Sequence, residues 1–186
     1  MTSRFDPHAS WHSLHERATQ TANPKHKGLL EEVAKHMEAE ITAQFEPLMA
    51  TLAPEPIYHF WRLGAENGTL QGYDEVAAFY QNMFANNAQQ FQVVAKRIMV
   101  DDGGVITEGK VRSVYQSSTL TAMGVTTAAD QPIEHHELWL SNTQLITVWP
   151  AAPDGKLMGE DIYFGEDPMS TLQPIRRDEL PAYFRF

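Results

Sequence analysis

The segment from Ile57 to Tyr80 constrains the fold more than any other part of the chain. Ile57, Tyr58, His59, Phe60, Trp61, Arg62 and Leu63 form a run dominated by aromatic and aliphatic side chains, the composition of a strand. Gly68-Thr69-Leu70-Gln71-Gly72 follows as a glycine-punctuated turn with a short extended piece. Val76, Phe79, Tyr80 and Met83 then recur at helical spacing. The segment reads as strand, turn, short strand and amphipathic helix. It places a histidine among aromatics on a strand that leads into a core, which is the local pattern of a pocket-bearing α+β domain.

The remaining elements extend that pattern. Asn23-Pro24 and Gly28 mark a boundary. Beyond it Leu29, Val33, Met37, Ile41, Phe45 and Leu48 make an apolar stripe that predicts a helix over about 29–51, with Glu31, Glu32, Lys35, Glu38 and Glu40 largely on its other side. Pro47 should kink or end that helix, and Pro54 and Pro56 force an extended passage. A second helix is expected over 73–86. Four extended segments follow, at about 90–101, 104–117, 132–149 and 156–165. Asp101-Asp102-Gly103-Gly104 and Pro153-Asp154-Gly155 supply the turns between the first and the last pairs. Helices first and hairpins last argue an α+β fold: a cone-shaped, curved, mixed but largely antiparallel sheet wrapped around N-terminal helices, with a cavity on its concave face. Residues 29–166 form this domain. Residues 1–28 form a polar, histidine-rich extension, and 167–186 a tail packed on the domain with one helical turn near Arg177–Leu180.

Composition narrows the class. In 186 residues no apolar run approaches the roughly 20 residues of a membrane helix, and Met1–Ser10 lacks the apolar core of a signal peptide, so a cytoplasmic protein without membrane contact is expected. No cysteine is present, which excludes disulfides and thiolate metal sites. Fourteen basic against 24 acidic residues give a net charge of −10, which argues against nucleic acid as a partner. Neither a glycine-rich phosphate loop nor a serine nucleophile elbow occurs, so nucleotide and acyl-enzyme chemistry are not expected. If Asp6-Pro7 opens a helix, His8, His12 and His15 share a face at metal-ligand spacing, but no carboxylate–histidine motif surrounds them and an arm with incidental histidines is the simpler reading. No metal and no cofactor are expected.

Leu70-x-Gly72-x3-Val76-x2-Phe79-Tyr80 at the second helix and Gly159-Glu160-Asp161-x-Tyr163-Phe164 in the last strand carry a resemblance. In this order of elements the chain resembles the nuclear transport factor two-like superfamily, and within it the SnoaL-like branch of polyketide cyclase, ketosteroid isomerase and scytalone dehydratase relatives, over about residues 29–166. The resemblance implies a cone fold, a hydrophobic small-molecule ligand and a homodimer paired through the open sheet face. Isomerase-like members carry a carboxylate base at the end of the first strand; here no Asp or Glu lies between Ile57 and Leu63, and His59 is the candidate base.

Alternation puts His59 and Trp61 on one face of the first strand and Tyr58, Phe60 and Arg62 on the other. Imidazole titrates near neutrality, so an enclosed His59 suits proton transfer; a core histidine bonded to backbone is the alternative. Glu134-His135-His136-Glu137 is read as the start of a long strand, in which Leu138 and Leu140 argue for His136 facing inward and Trp139 argues for His135. Asp161 and Tyr163 share a face of the last strand, opposite Glu160, Ile162 and Phe164, and Asp161 orients a histidine, acts as the base itself, or pairs with Arg97 or Arg112 outside. Glu108, Lys110 and Arg112 form an outward ladder. The catalytic candidates are His59, His136 and Asp161. Tyr58, Trp61, Met37, Phe45, Phe79, Met83, Tyr115, Trp139 and Tyr163 are the candidate ligand-binding side chains. The expected function is a cofactor-free lyase, isomerase or cyclase acting on a hydrophobic carbonyl compound, with a non-catalytic binding protein or a homodimeric association module as the alternatives.

Overall fold

The computed structural model describes residues 5–61 and 68–186. A 3-10 turn at Pro7–Ala9 leads into α1 (His12–Thr19) and α2 (Pro24–Ile41). The arm expected to be polar contributes Trp11, Leu14 and Ala18 to the main core. The break at Ser10 and Trp11 separates His8 from His12 and His15, so the three do not sit on one helix. Helix α2 begins earlier than its apolar stripe because the Asn23 side chain accepts from the Lys25 and His26 N–H groups and Pro24 takes the first helical position. It also ends earlier than expected. Ala43 adopts φ 56°, and a short α3 (Phe45–Met49) holds Pro47 in its first turn, where no N–H is required.

Strand β1 (Leu52–Trp61) starts ahead of Pro54 and Pro56 and pairs antiparallel with β2 (Gly68–Gln71); the expected continuation to Leu63 lies outside the described residues. Helix α4 (Tyr73–Ala85) follows. β3 (Phe91–Asp101) and β4 (Gly104–Gln116) form the hairpin expected at Asp101–Gly104. A short α5 (Ser117–Ala122) and the small ribbon of β5 (Thr127–Ala128) and β6 (Gln131–Pro132) come next. The strand expected from 132 begins only at Leu138, as β7 (Leu138–Pro150), because Ile133–His135 forms a 3-10 turn. β8 (Leu157–Phe164) and β9 (Gln173–Ile175) complete the sheet, and the expected helical turn appears at Arg177–Glu179.

The seven-stranded sheet runs β2-β1-β8-β7-β4-β3, with β9 on β7. Among the described residues only β1 and β8 pair in parallel. The fold is therefore the expected α+β cone. Helices α1, α2 and α4 cover the concave face, where Leu29, Leu30, Val33, Val76, Tyr80 and Trp149 pack. The termini cover part of the outer face. Phe5, Leu138, Leu140 and Ile175 form a second cluster with Val114, Leu180 and Phe184. Trp139 points inward to a third, with Leu120, Ile133 and Leu172. Leu138, Trp139 and Leu140 are thus all buried, each face of β7 having its own cover, which is why their alternation did not identify the inner face.

The β1–β8 pairing depends on Gly159. It sits at φ +128°, and a Cβ there would lie 1.8 Å from the Ile57 carbonyl oxygen. Gly155, at φ +87°, faces open space. Gly159→Ala is expected to lower stability by at least about 2 kcal/mol, and Gly155→Ala by about 1 kcal/mol from backbone strain alone. Chemical denaturation of both checks this; equal losses would mean that the β1–β8 approach is looser than the register implies.

Candidate functional site

A cavity of about 570 Å³ opens between the helices and the concave sheet face. Met37, Phe60, Phe79, Met83, Phe91 and Leu145 give it an apolar wall. Alternation on β4 and β7 adds hydroxyls from Thr107, Ser113, Ser141, Thr143 and Thr147. One end carries a cluster of buried polar groups: His36 and Glu40 from α2, Tyr58 from β1, Tyr80 from α4 and Glu160 from β8.

The hydrogen bonds orient the cluster. Thr51 donates its only side-chain hydrogen to the Leu48 carbonyl at 2.6 Å, so its oxygen accepts from His36 Nδ1 at 2.6 Å. That places a hydrogen on Nδ1 and turns Nε2 towards the cavity cluster. Nε2 lies 3.0 Å from the Tyr80 hydroxyl and 3.3 Å from Glu160 Oε1. Tyr58 and Tyr80 hydroxyls are 3.0 Å apart, and Tyr80 donates to Glu160 Oε1 at 3.2 Å. Glu40 is 7% exposed, and its carboxyl has no hydrogen-bond partner among the described residues.

Burial pushes the Glu40 carboxyl well above the usual carboxylate range, and the neighbouring Glu160 charge adds to the shift. Burial also raises both phenols, with the Glu160 charge next for Tyr58 and the Glu40 charge next for Tyr80. Both tyrosines therefore remain hydrogen donors across the physiological range. The arrangement offers a carboxyl group that burial biases towards its protonated form, a second carboxyl group, two phenols and an oriented imidazole beside an apolar chamber. Such a set can hydrogen-bond a ligand oxygen and move a proton.

Of the side chains singled out from sequence, Tyr58, Met37, Phe79, Met83 and Tyr115 line the cavity. Phe45 packs against the main core outside it, and Trp139 is buried in the third cluster. His59 and Asp161 meet at 2.6 Å, but on the opposite face of β1 and β8, because Tyr58 and Glu160 take the inward positions. Trp61 and Tyr163 stack beside them on that outer face. His136 bonds Gln131 at 2.7 Å and sits edge-on to Trp139, and neither it nor His135 lines the cavity. Glu108, Lys110 and Arg112 face outward as expected, against Arg97, Glu166 and Gln92.

His36, Glu40, Tyr80 and Glu160 escaped the sequence reading as site residues, although two signals marked them. His36 and Glu40 stand four residues apart and fall on the buried stripe through Leu29 and Val33, not on the solvated side where Glu40 was expected. Glu160 shares its strand face with Ile162 and Phe164, both of which line the cavity.

Replacing Glu40 with Gln tests the burial argument. A folded-state pKa above the unfolded value means that ionisation favours unfolding, so wild-type stability should fall as pH rises from about 4.5 towards the folded-state pKa. Glu40→Gln removes that dependence. The variant should gain about 1–3 kcal/mol over wild type at neutral pH, with the gap shrinking in acid. Denaturant titrations across pH check this, and a gap that does not change with pH would mean that Glu40 is solvated.

The SnoaL-like domain family matches residues 33–136, more than half of the chain. No curated protein matches the sequence. Solved structures are similar in fold alone. A SnoaL-like polyketide cyclase candidate from Jannaschia sp. CCS1 is 15% identical, over 78% of this chain and 91% of that one, with TM-score 0.56. An NTF2-like protein from Anabaena variabilis ATCC 29413 is 13% identical over 81% and 97%, with TM-score 0.53. The epoxide hydrolase/cyclase-like enzyme SalBIII, of pyran ring formation in the polyether salinomycin, is 10% identical over 78% and 94%, with TM-score 0.51. The family match, the cone fold and the cavity on its concave face agree, and the chain belongs to the SnoaL-like branch of the nuclear transport factor two-like superfamily.

Proposed function

We propose that the protein is a lyase, isomerase or cyclase that acts on a hydrophobic carbonyl compound with its own side chains. The observation that carries this reading is the unpaired, buried Glu40 carboxyl beside Glu160 and His36 at the end of an apolar cavity. The role first given to His59 passes to His36, which faces the cluster that adjoins the cavity.

The chemistry follows from the arrangement of the cluster and from the upward shift of Glu40. Neutral Glu40 donates a hydrogen bond to the ligand carbonyl oxygen. Glu160, the second carboxyl group, serves as the base and removes a proton from the adjacent carbon. The C–H pair moves into a new C=C bond, the carbonyl π pair moves to oxygen, and Glu40 delivers its proton there to give a neutral enol. Tyr80, bonded to Glu160, and Tyr58, bonded to Tyr80, keep the base in place. His36 Nε2, 3.3 Å from Glu160, accepts or returns the proton. Reprotonation at another carbon completes an isomerisation, loss of a β-substituent completes an elimination, and attack on an internal electrophile closes a ring. Pyran ring formation, in which SalBIII takes part, is in keeping with the last of these.

Deuterium uptake tests the enolisation step without knowledge of the natural ligand. In D2O the protein should accelerate α-carbon exchange of 2-decalone, read by mass spectrometry, and Glu160→Gln should lower the rate about 10²–10⁴-fold. Exchange no faster than buffer, for a ketone that binds, would favour a non-catalytic binding protein.

One observation favours assembly as well. Trp61, Tyr163 and Ile146 are register neighbours on β1, β8 and β7, exposed at 39%, 42% and 36% on the outer face. A contiguous apolar row on a sheet face marks an interaction surface, and we propose a homodimer paired there. Sedimentation should give a dimer for wild type and a monomer for Tyr163→Asp; a monomeric wild type would remove the proposal.

A further inference from the structure

We propose that His36, Glu40 and Glu160 bind one divalent first-row transition cation at the polar end of the cavity. Among the described residues these three side chains place their ligand atoms within 4.8 Å of one another, and all three are buried. His36 and Glu40, four residues apart on α2, project from one helix face, and Glu160 faces them from β8. Nitrogen and oxygen donors hold such cations at about 2.0–2.2 Å, which sets neighbouring donors about 3.0–3.5 Å apart. His36 Nε2 and Glu160 Oε1 already stand at 3.3 Å. A small turn of the Glu40 side chain, which no hydrogen bond restrains among the described residues, closes the third side.

Two further observations point to a ligand. His36 has the arrangement of a metal-binding imidazole: Nδ1 donates to Thr51 Oγ1, and Thr51 is itself fixed by the Leu48 carbonyl, so Nε2 presents its lone pair to the two carboxyls. Glu40 is a buried acid, 7% exposed, facing the cavity with no partner of its own among the described residues. Two carboxyls buried together require a proton or a cation between them. One imidazole and two carboxylates suit Zn²⁺, Mn²⁺ or Fe²⁺ rather than a soft cation that prefers thiolate. Cation and proton compete for the same groups, so a bound cation withdraws Nε2 and both carboxylates from proton transfer, and binding tightens as pH rises. This departs from the sequence expectation of no metal. It shares the cluster with the acid–base reading but does not rest on it, since binding is measured without turnover.

Isothermal titration of the full chain with ZnCl2 and with MnCl2 at neutral pH tests the site. Helix α1 also carries the exposed His12 and His15, which can capture Zn²⁺ on their own, so variants decide the location. The expected result is one cation per chain, unaffected by His12→Ala/His15→Ala and weakened about 100-fold or more by Glu40→Gln and by Glu160→Gln. If Glu160→Gln does not fold, Glu40→Gln carries the test, because that substitution is expected to stabilise the protein. Absence of Zn²⁺ and Mn²⁺ uptake by wild type would overturn the proposal, and so would uptake that the two glutamate variants leave unchanged.

Discussion

The parallel contact of β1 with β8 determines what each face of the molecule carries. Tyr58 stands opposite Glu160 and turns inward with it; His59 stands opposite Asp161 and turns outward with it. Side chains alternate along a strand, so a slip of one residue in β8 would exchange Glu160 for Asp161 in the cavity and send Ile162 and Phe164 to the surface. Gly159 makes the registered approach possible, because any side chain there would meet the Ile57 backbone. The adjacent β7–β8 pairing repeats the same parity: Ile146 and Tyr163 lie outward, while Leu145 and Phe164 lie at the cavity.

Glu160, brought inward by that register, meets the buried Glu40 of α2, and the two together work against stability. A buried carboxyl without a partner, beside a second carboxyl, is unfavourable in an apolar setting, and nothing in the packing of the cone requires it. The surrounding core is large enough to tolerate it: Leu29, Leu30, Val33, Leu48, Val76 and Leu157 are all fully or almost fully buried nearby in the same cluster. A local departure from apolar packing within an otherwise consistent core is where a functional site is expected. The oriented His36 strengthens that inference, since its link through Thr51 to the Leu48 carbonyl fixes the tautomer presented to the cluster.

The fold was legible because its signals are local. The Asp101–Gly104 turn, the helix after Gly72 and the order of elements each follow from a few neighbouring residues, and all appear in the structure. The site was less legible because its members come from four elements far apart in the chain. Glu40 looked solvated beside Glu31, Glu32 and Glu38, yet helical rotation carries it into the buried stripe with His36. Choosing between Glu160 and Asp161 required knowing which face of β8 turned inward. The apolar company of Glu160 was the better guide than the aromatic company of Asp161, since Tyr163 and Trp61 belong to an exposed row. Glu134 to Glu137 misled for a different reason: Pro132 and the 3-10 turn after it delay the strand, so alternation had no strand to act upon there.

That exposed row and the buried cluster share β1 and β8, so the proposed association and the proposed chemistry would act on opposite sides of the same backbone. Trp61 and Tyr163 stack at 6.0 Å on one side of the backbone whose other side carries Tyr58 and Glu160. The His59–Asp161 contact at 2.6 Å bridges β1 and β8 on the outer face, opposite the point where the cluster bridges them within. A partner seated on the row would desolvate this contact and restrain the two strands against sliding. The hydrogen bond from Tyr80 to Glu160 and the 3.3 Å separation of His36 Nε2 from Glu160 would feel that restraint, because β8 alone positions Glu160. On the proposed reading, preorganisation of the acid–base groups would be tied to the outer face, and the aromatic row lies where the proposed association would tighten the cavity without contributing a side chain to it.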